Sequence, residues 1–203
     1  RQAIPDVRVC LRLFGDPRNP AALAQHGHAL AQTYLRPGDA LTPGNEWNLE
    51  NGFTPQEVAH WSYEFLNSWG SLPPLDIHLV TPALSPGAPH DFGPLTEAWG
   101  LYDYIGVHAY LGLEGHLTKV RDYWPNKEVW VTEFGTDRKA EAAAYAESFL
   151  RRCVDLGYVT AAAWFLWDCL PEKEWRAWVA RGTPTETALY NATHSAPGPT
   201  PPD

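Results

Sequence analysis

Two glutamates occupy matching positions along this chain. Glu46 closes the run Gly44-Asn45-Glu46 just after a short β-prone stretch at 40–43, and Glu133 directly follows the run EVWVT at 128–132. A lone glutamate at a strand end is ordinarily a solvated helix cap. A pair in the same context can divide labour. One carboxyl group, kept protonated, gives its proton to a leaving oxygen, while the other, kept ionised, attacks the carbon that oxygen leaves. Glycosidic bonds are cleaved by such a pair. The environment must then push the two pKa values apart, which poor solvation and mutual repulsion can do. This chemistry requires neither metal nor cofactor, and none is expected.

The elements that must position the pair alternate between strand and helix. Residues 7–14 (VRVCLRLF) are apolar and β-rich and stop at Gly15-Asp16-Pro17, a turn signal. Asn19 at a cap position, Pro20 just inside it and apolar residues at helical spacing predict a helix over 19–35, ended by Pro37-Gly38. Thr54, Pro55, Gln56 and Glu57 form a capped start for a helix reaching about residue 69. Further strands are predicted at 75–82, 102–110, 128–132 and 159–167, and helices at 117–123, 139–156 and 173–180. Gly157 stands where the second of these helices needs a C-cap. Such alternation, with nearly continuous apolar strands, implies a parallel sheet covered by helices. No GxGxxG or GxxxxGK[ST] run supports a nucleotide fold. One domain is expected over 1–190, followed by a Pro-rich disordered tail over 191–203.

Composition narrows the partner. The 203 residues carry 24 acidic and 15 basic side chains, a net charge of −9, which disfavours nucleic acid or an anionic membrane surface as partner. Ten Trp and nine Tyr suit a packed core, and flat rings also suit the apolar faces of sugars, so a carbohydrate substrate is expected. Cys10, Cys153 and Cys169 show no CxxC pair or metal-ligand spacing and are odd in number, which excludes a complete disulfide framework, and Cys10 and Cys169, in apolar strand-like runs, read as small buried residues. His78, inside a predicted strand, reads as a satisfied sheet histidine.

With these residues in view, the sequence resembles the retaining glycoside hydrolases of clan A, a (β/α)8-barrel group that includes cellulases, mannanases and β-xylosidases. In that group Asn-Glu closes the fourth strand and Glu the seventh, which Asn45-Glu46 and Glu133 match. The resemblance implies Glu46 as general acid/base, Glu133 as nucleophile and Asn45 as a hydrogen-bond partner of the sugar 2-hydroxyl, with carboxyl groups about 5–5.5 Å apart. His108-Ala109-Tyr110 is similar to the clan's His-x-Tyr, whose tyrosine orients the nucleophile. Trp167, near the end of the last strand, matches the clan's sugar platform, and Trp164, on the opposite face, is left to packing. Trp47 stands where many members have Pro and is also placed against the sugar. Arg12 is the candidate for the clan's arginine that contacts the nucleophile, with Arg8 competing.

Six predicted strands fall two βα units short of that barrel, which typically takes about 250 residues. The expected fold is therefore α/β, a (β/α)8 TIM-barrel-like architecture that is incomplete or shortened. The absence of Met and the start at arginine read as a processed or partial product. Three explanations stand: a C-terminal portion of a longer protein, a shortened barrel, or a gap filled by another chain. Unpaired strand edges make a homo-oligomer or an additional chain segment the expected partner under the last two. The alternative function is a non-catalytic carbohydrate-binding barrel.

Overall fold

All six strands run parallel and follow one another in space in chain order. They are β1 (Cys10–Arg12), β2 (Ala40–Thr42), β3 (His78–Leu79), β4 (Ile105–Tyr110), β5 (Val129–Gly135) and β6 (Val159–Trp164). The computed structural model that shows them describes residues 8–88, 91–165 and 179–195. β1–β2–β3 and β4–β5–β6 form two three-stranded ladders, joined by a parallel bridge between Val80 and Tyr104. Among the described residues no ladder joins β1 to β6, so the array is six strands of a TIM-barrel-like α/β fold with one open seam.

Period-two alternation sorts these strands into two layers. Ala40, Val80 and Trp130 are buried together on the inner side, with Cys10, Tyr104 and Ala161 against them, so six successive strand positions contribute one residue each. Small residues leave room for the Trp130 indole, which stacks on Tyr104 at 5.0 Å. Leu41, Val107, Val131 and Phe134 face the opposite way, into the main core shared with the helices. Full burial of side chains of this size contributes about 1.5–3 kcal/mol each.

One threonine reinforces the junction between the two ladders. Thr81 accepts a hydrogen bond from the Thr42 hydroxyl through its carbonyl (3.1 Å), and its own hydroxyl accepts from the Gly106 amide (2.8 Å). A Cβ on Gly106 would lie 2.3 Å from the Thr81 carbonyl oxygen, so only glycine allows this approach. Gly106→Ala is expected to destabilise the fold by ~1–3 kcal/mol, the usual cost of overpacking, as a lowered midpoint in urea. An unchanged midpoint would show that the ladders can separate freely.

Helices α1 (Pro20–Tyr34) and α3 (Pro55–Gly70) begin as their cap residues predict. The Asn19 side chain accepts from the Ala22 amide, and Thr54 and Glu57 form a reciprocal capping box. The amide and hydroxyl of Thr54 also hold the Glu57 carboxyl below its ordinary pKa. α5 (Gly115–Tyr123) and α6 (Lys139–Leu156) complete the outer layer on this side, and α6 ends at Gly157 in the left-handed region, φ 68°. Phe149 of α6 stacks on Phe134 at 4.6 Å, tying this helix to β5.

Several elements depart from the sequence expectation. The first strand shrinks to three residues, and the one expected over 75–82 shrinks to two. β3 is short because Asp103 takes over as acceptor for the Leu79 amide and the Thr81 side chain replaces ladder bonds beyond Val80. Two short helices, α2 (Trp47–Glu50) and α4 (Thr96–Gly100), and a 3₁₀ turn at Gly93–Leu95 occupy segments for which no helix or strand was predicted. At the C-terminal end, α7 (Pro184–Ser195) packs on α6 and runs into the segment expected to be a disordered tail. The helix expected over 173–180 lies almost wholly outside the described residues, as does Cys169. Burial pushes the thiols of Cys10 and Cys153 up to about 12, so both remain protonated and behave as small apolar side chains. His78, half-exposed, packs edge-on against Tyr104 at 5.1 Å. Among the described residues no helix is long and apolar enough to cross a membrane.

Candidate active site

The carboxyl end of β2 leads into an unusual turn. Gly44 has φ 124°, and a Cβ there would lie 2.0 Å from the Trp47 ring, so the chain passes hard against that indole. Glu46 follows at φ 38°, the one described non-glycine residue with positive φ. Such a conformation costs of order 1–3 kcal/mol and persists only when its surroundings enforce it. Here they do. The Glu46 amide donates to the Ala83 carbonyl (3.0 Å), and its carbonyl accepts from the amides of Leu49 and Glu50, which makes Glu46 the N-cap of α2. Asn48 in turn clamps Ser85, its side-chain oxygen accepting from the Ser85 amide (2.9 Å) and its side-chain nitrogen donating to the Ser85 carbonyl (3.3 Å), which ties the loops after β2 and β3 together.

Glu133 reaches the same place from β5. The β4–β5 register slips between Val107 and His108 and pairs His108 with Glu133. The inner faces of these strands then carry His108, Tyr110 and Glu133 together. One Glu133 oxygen accepts from the Arg12 guanidinium and the other from the Tyr110 hydroxyl. Burial, reinforced by the Glu133 charge, pushes the Tyr110 hydroxyl far above its ordinary pKa, so toward Glu133 this group can only donate.

His108 links the two carboxylates. Its Nδ1 lies 2.7 Å from Oε1 of Glu46 and 3.8 Å from Oε2 of Glu133, and these contacts to one nitrogen cap the separation of the two oxygens at about 6.5 Å. All three groups are withdrawn from solvent: Glu46 is 9 % exposed, Glu133 6 % and His108 1 %. A cation, a hydrogen-bonded histidine and two carboxylates thus share one dry cluster at the carboxyl ends of β1, β2, β4 and β5. Dry surroundings strengthen each of these charge interactions relative to water.

The structure brings Glu46, Glu133, His108, Tyr110 and Arg12 together and places the remaining candidates elsewhere. Asn45 is half-buried and turns its amide nitrogen to Glu50 (2.6 Å), while its Oδ1 is buried with no partner among the described residues. Trp47 does not face a substrate. It is 4 % exposed and packs on Trp61 (5.2 Å) and Phe53 (6.1 Å), because the left-handed turn at Glu46 starts α2 with this side chain directed into the core. Trp167 lies outside the described residues. Arg8 lines the seam beside Arg12, yet the contact to Glu133 is made by Arg12. Trp164 packs edge-on against Phe134 at 5.3 Å, on the helix side. Phe165, which no motif singled out, meets the Tyr110 ring at 6.3 Å, and its amide donates to the Phe134 carbonyl. Strand alternation was the signal for it: the neighbour of a helix-facing Trp164 must face the site.

Residues 95–188 match the family model described as glycosyl hydrolase catalytic core, a little under half of the chain and the part that carries His108, Tyr110 and Glu133. Fold and match together support a glycosidase. The chain is similar in structure to a GH128 (subgroup II) endo-β-1,3-glucanase from Sorangium cellulosum, with 19% identity and a TM-score of 0.65 over 96% of this chain and 82% of that one. A GH128 (subgroup I) endo-β-1,3-glucanase from Amycolatopsis mediterranei, solved in complex with laminaritriose, gives 15% identity and 0.63 over 93% and 83%. A GH128 (subgroup IV) endo-β-1,3-glucanase from Lentinula edodes gives 23% identity and 0.54 over 70% of this chain, which spans only 58% of that protein's length. No curated protein sequence matches the chain.

Proposed function

We propose that the chain is a retaining glycoside hydrolase acting on β-1,3-linked glucan, with Glu46 as acid/base and Glu133 as nucleophile. One observation carries the mechanism: both carboxylates contact the same His108 nitrogen, which holds their oxygens within about 6.5 Å. Retaining enzymes set their carboxyl groups about 5–5.5 Å apart, whereas inverting ones need roughly 6.5–9.5 Å to admit a water between them. The glucan substrate is suggested by the GH128 glucanases of similar fold.

In the first step Glu46 gives its proton to the glycosidic oxygen as the C1–O bond breaks, and Glu133 attacks C1 to form a glycosyl ester. A water then enters, loses a proton to Glu46 and attacks C1, and Glu133 leaves as carboxylate with the sugar's configuration restored. Arg12 and Tyr110 occupy one oxygen each of Glu133 and so fix the direction in which it faces. His108 supports Glu46 at 2.7 Å, accepting from the protonated acid or donating to the carboxylate as the proton moves. The buried Asn45 Oδ1 is an acceptor of the kind a sugar hydroxyl would satisfy.

Release of reducing sugar from β-1,3-glucan oligosaccharides tests this reading, and no release from any β-glucan would leave the binding-only barrel in its place. Within the cluster, Tyr110→Phe removes one charged hydrogen bond of about 1.5–3 kcal/mol and is expected to lower kcat by about 10- to 100-fold. Unchanged steady-state kinetics would show that Tyr110 does not act on Glu133.

A further inference from the structure

Trp47 is buried in the core and offers a glucan no stacking surface. Phe14 supplies one. It is 70 % exposed, the most exposed large apolar side chain among the described residues, and it directly follows β1, the strand that brings Arg12 to Glu133. Along this strand Cys10 and Arg12 line the inner seam while Leu11 and Leu13 pack toward the helices. Carried past the end of β1 through the Leu13 ladder bond, alternation puts Phe14 on the Arg12 side, one strand repeat or roughly 6.6 Å further along the chain, toward the carboxyl ends that carry the site.

Its exposure is not the fraying of a loose end. The Leu13 amide continues the ladder to the Thr42 carbonyl at 3.0 Å, and the Leu13 side chain packs so closely on α1 that a Cβ on Gly27 would lie 2.4 Å from it. On the other side, a Cβ on Gly15 would lie 2.7 Å from the Leu23 side chain. Phe14 is thus held between two packed neighbours with its ring turned to solvent. A ring kept out of the core in this way, two residues beyond the arginine that contacts Glu133, is suited to the apolar face of a sugar.

We propose that Phe14 is a stacking platform for a glucosyl unit beyond the bond being cleaved; this rests on the glycosidase reading above. Phe14 then determines preference for chain length, and it touches no reacting atom. The test is the kcat/KM of β-1,3-linked gluco-oligosaccharides of two to seven units. The parent chain gains efficiency with length, and Phe14→Ala loses about tenfold of that gain on the longer substrates while matching the parent on the shortest one cleaved. Phe14→Tyr restores the gain, and Phe14→Leu, apolar without a flat face, does not. Equal loss at every length, no loss at any length, or full restoration by leucine would overturn the proposal. Titration of the same oligosaccharides by tryptophan fluorescence on the Glu133→Gln protein separates the two readings. Phe14-dependent binding alongside an inactive parent chain overturns catalysis alone, and Phe14-independent binding overturns the platform.

Discussion

Glu133→Gln is expected to remove nearly all turnover, on the order of 10⁴-fold or more in kcat, while leaving oligosaccharide binding in place. The amide keeps the size of the carboxylate and can still accept from Tyr110, so packing around it changes little. What disappears is the anion that attacks C1. The substitution also leaves the Arg12 guanidinium facing a neutral group in a partly buried site, so some loss of thermal stability is expected. Kinetics on β-1,3-glucan oligosaccharides beside a fluorescence titration check both halves. Turnover within tenfold of the parent would remove Glu133 from the nucleophile role.

Glu46→Ala should behave differently. Protonation of the leaving oxygen contributes about 10²–10⁴-fold, so cleavage of oligosaccharides falls by that factor. Aryl β-glycosides with acidic phenol leaving groups need little help from an acid, so their first step is expected to survive and the second to become limiting. Azide, which needs no general base, should then accelerate turnover and yield a β-glycosyl azide. Equal loss on activated and unactivated substrates, with no azide effect, would contradict the role given to Glu46.

The barrel-like order of elements was legible because its signals are local. Asn19 and Thr54 announce helix starts through bonds spanning three residues, and period-two runs announce β4 and β5. Glu46 and Glu133 were legible as a pair because each stands just past the end of a predicted strand, at 40–43 and 128–132. The contact that joins them was not, since His108 and Glu46 stand 62 positions apart and meet only when β2 and β4 close around Thr81. Trp47 was misplaced for a related reason: its direction depends on the left-handed turn at Glu46, which the Ala83 carbonyl and α2 impose from outside the motif. Phe14 carried no motif, and only its exposure beside a packed Leu13 distinguishes it from a core aromatic. The strand over 75–82 was legible but its shortness was not, because side chains of Thr81 and Asp103 take over bonds that a longer ladder would make.

The central claim, that Glu133 forms a covalent glycosyl ester, is tested most directly by trapping that ester. A 2-deoxy-2-fluoro β-glucoside or β-1,3-glucobioside with a good leaving group forms the ester rapidly and hydrolyses it slowly, and peptide mass mapping locates the sugar. The mechanism predicts one added glycosyl unit per chain, on the peptide and at the side chain of Glu133. A label on Glu46 or any other residue, or rapid turnover with no label at all, would contradict it.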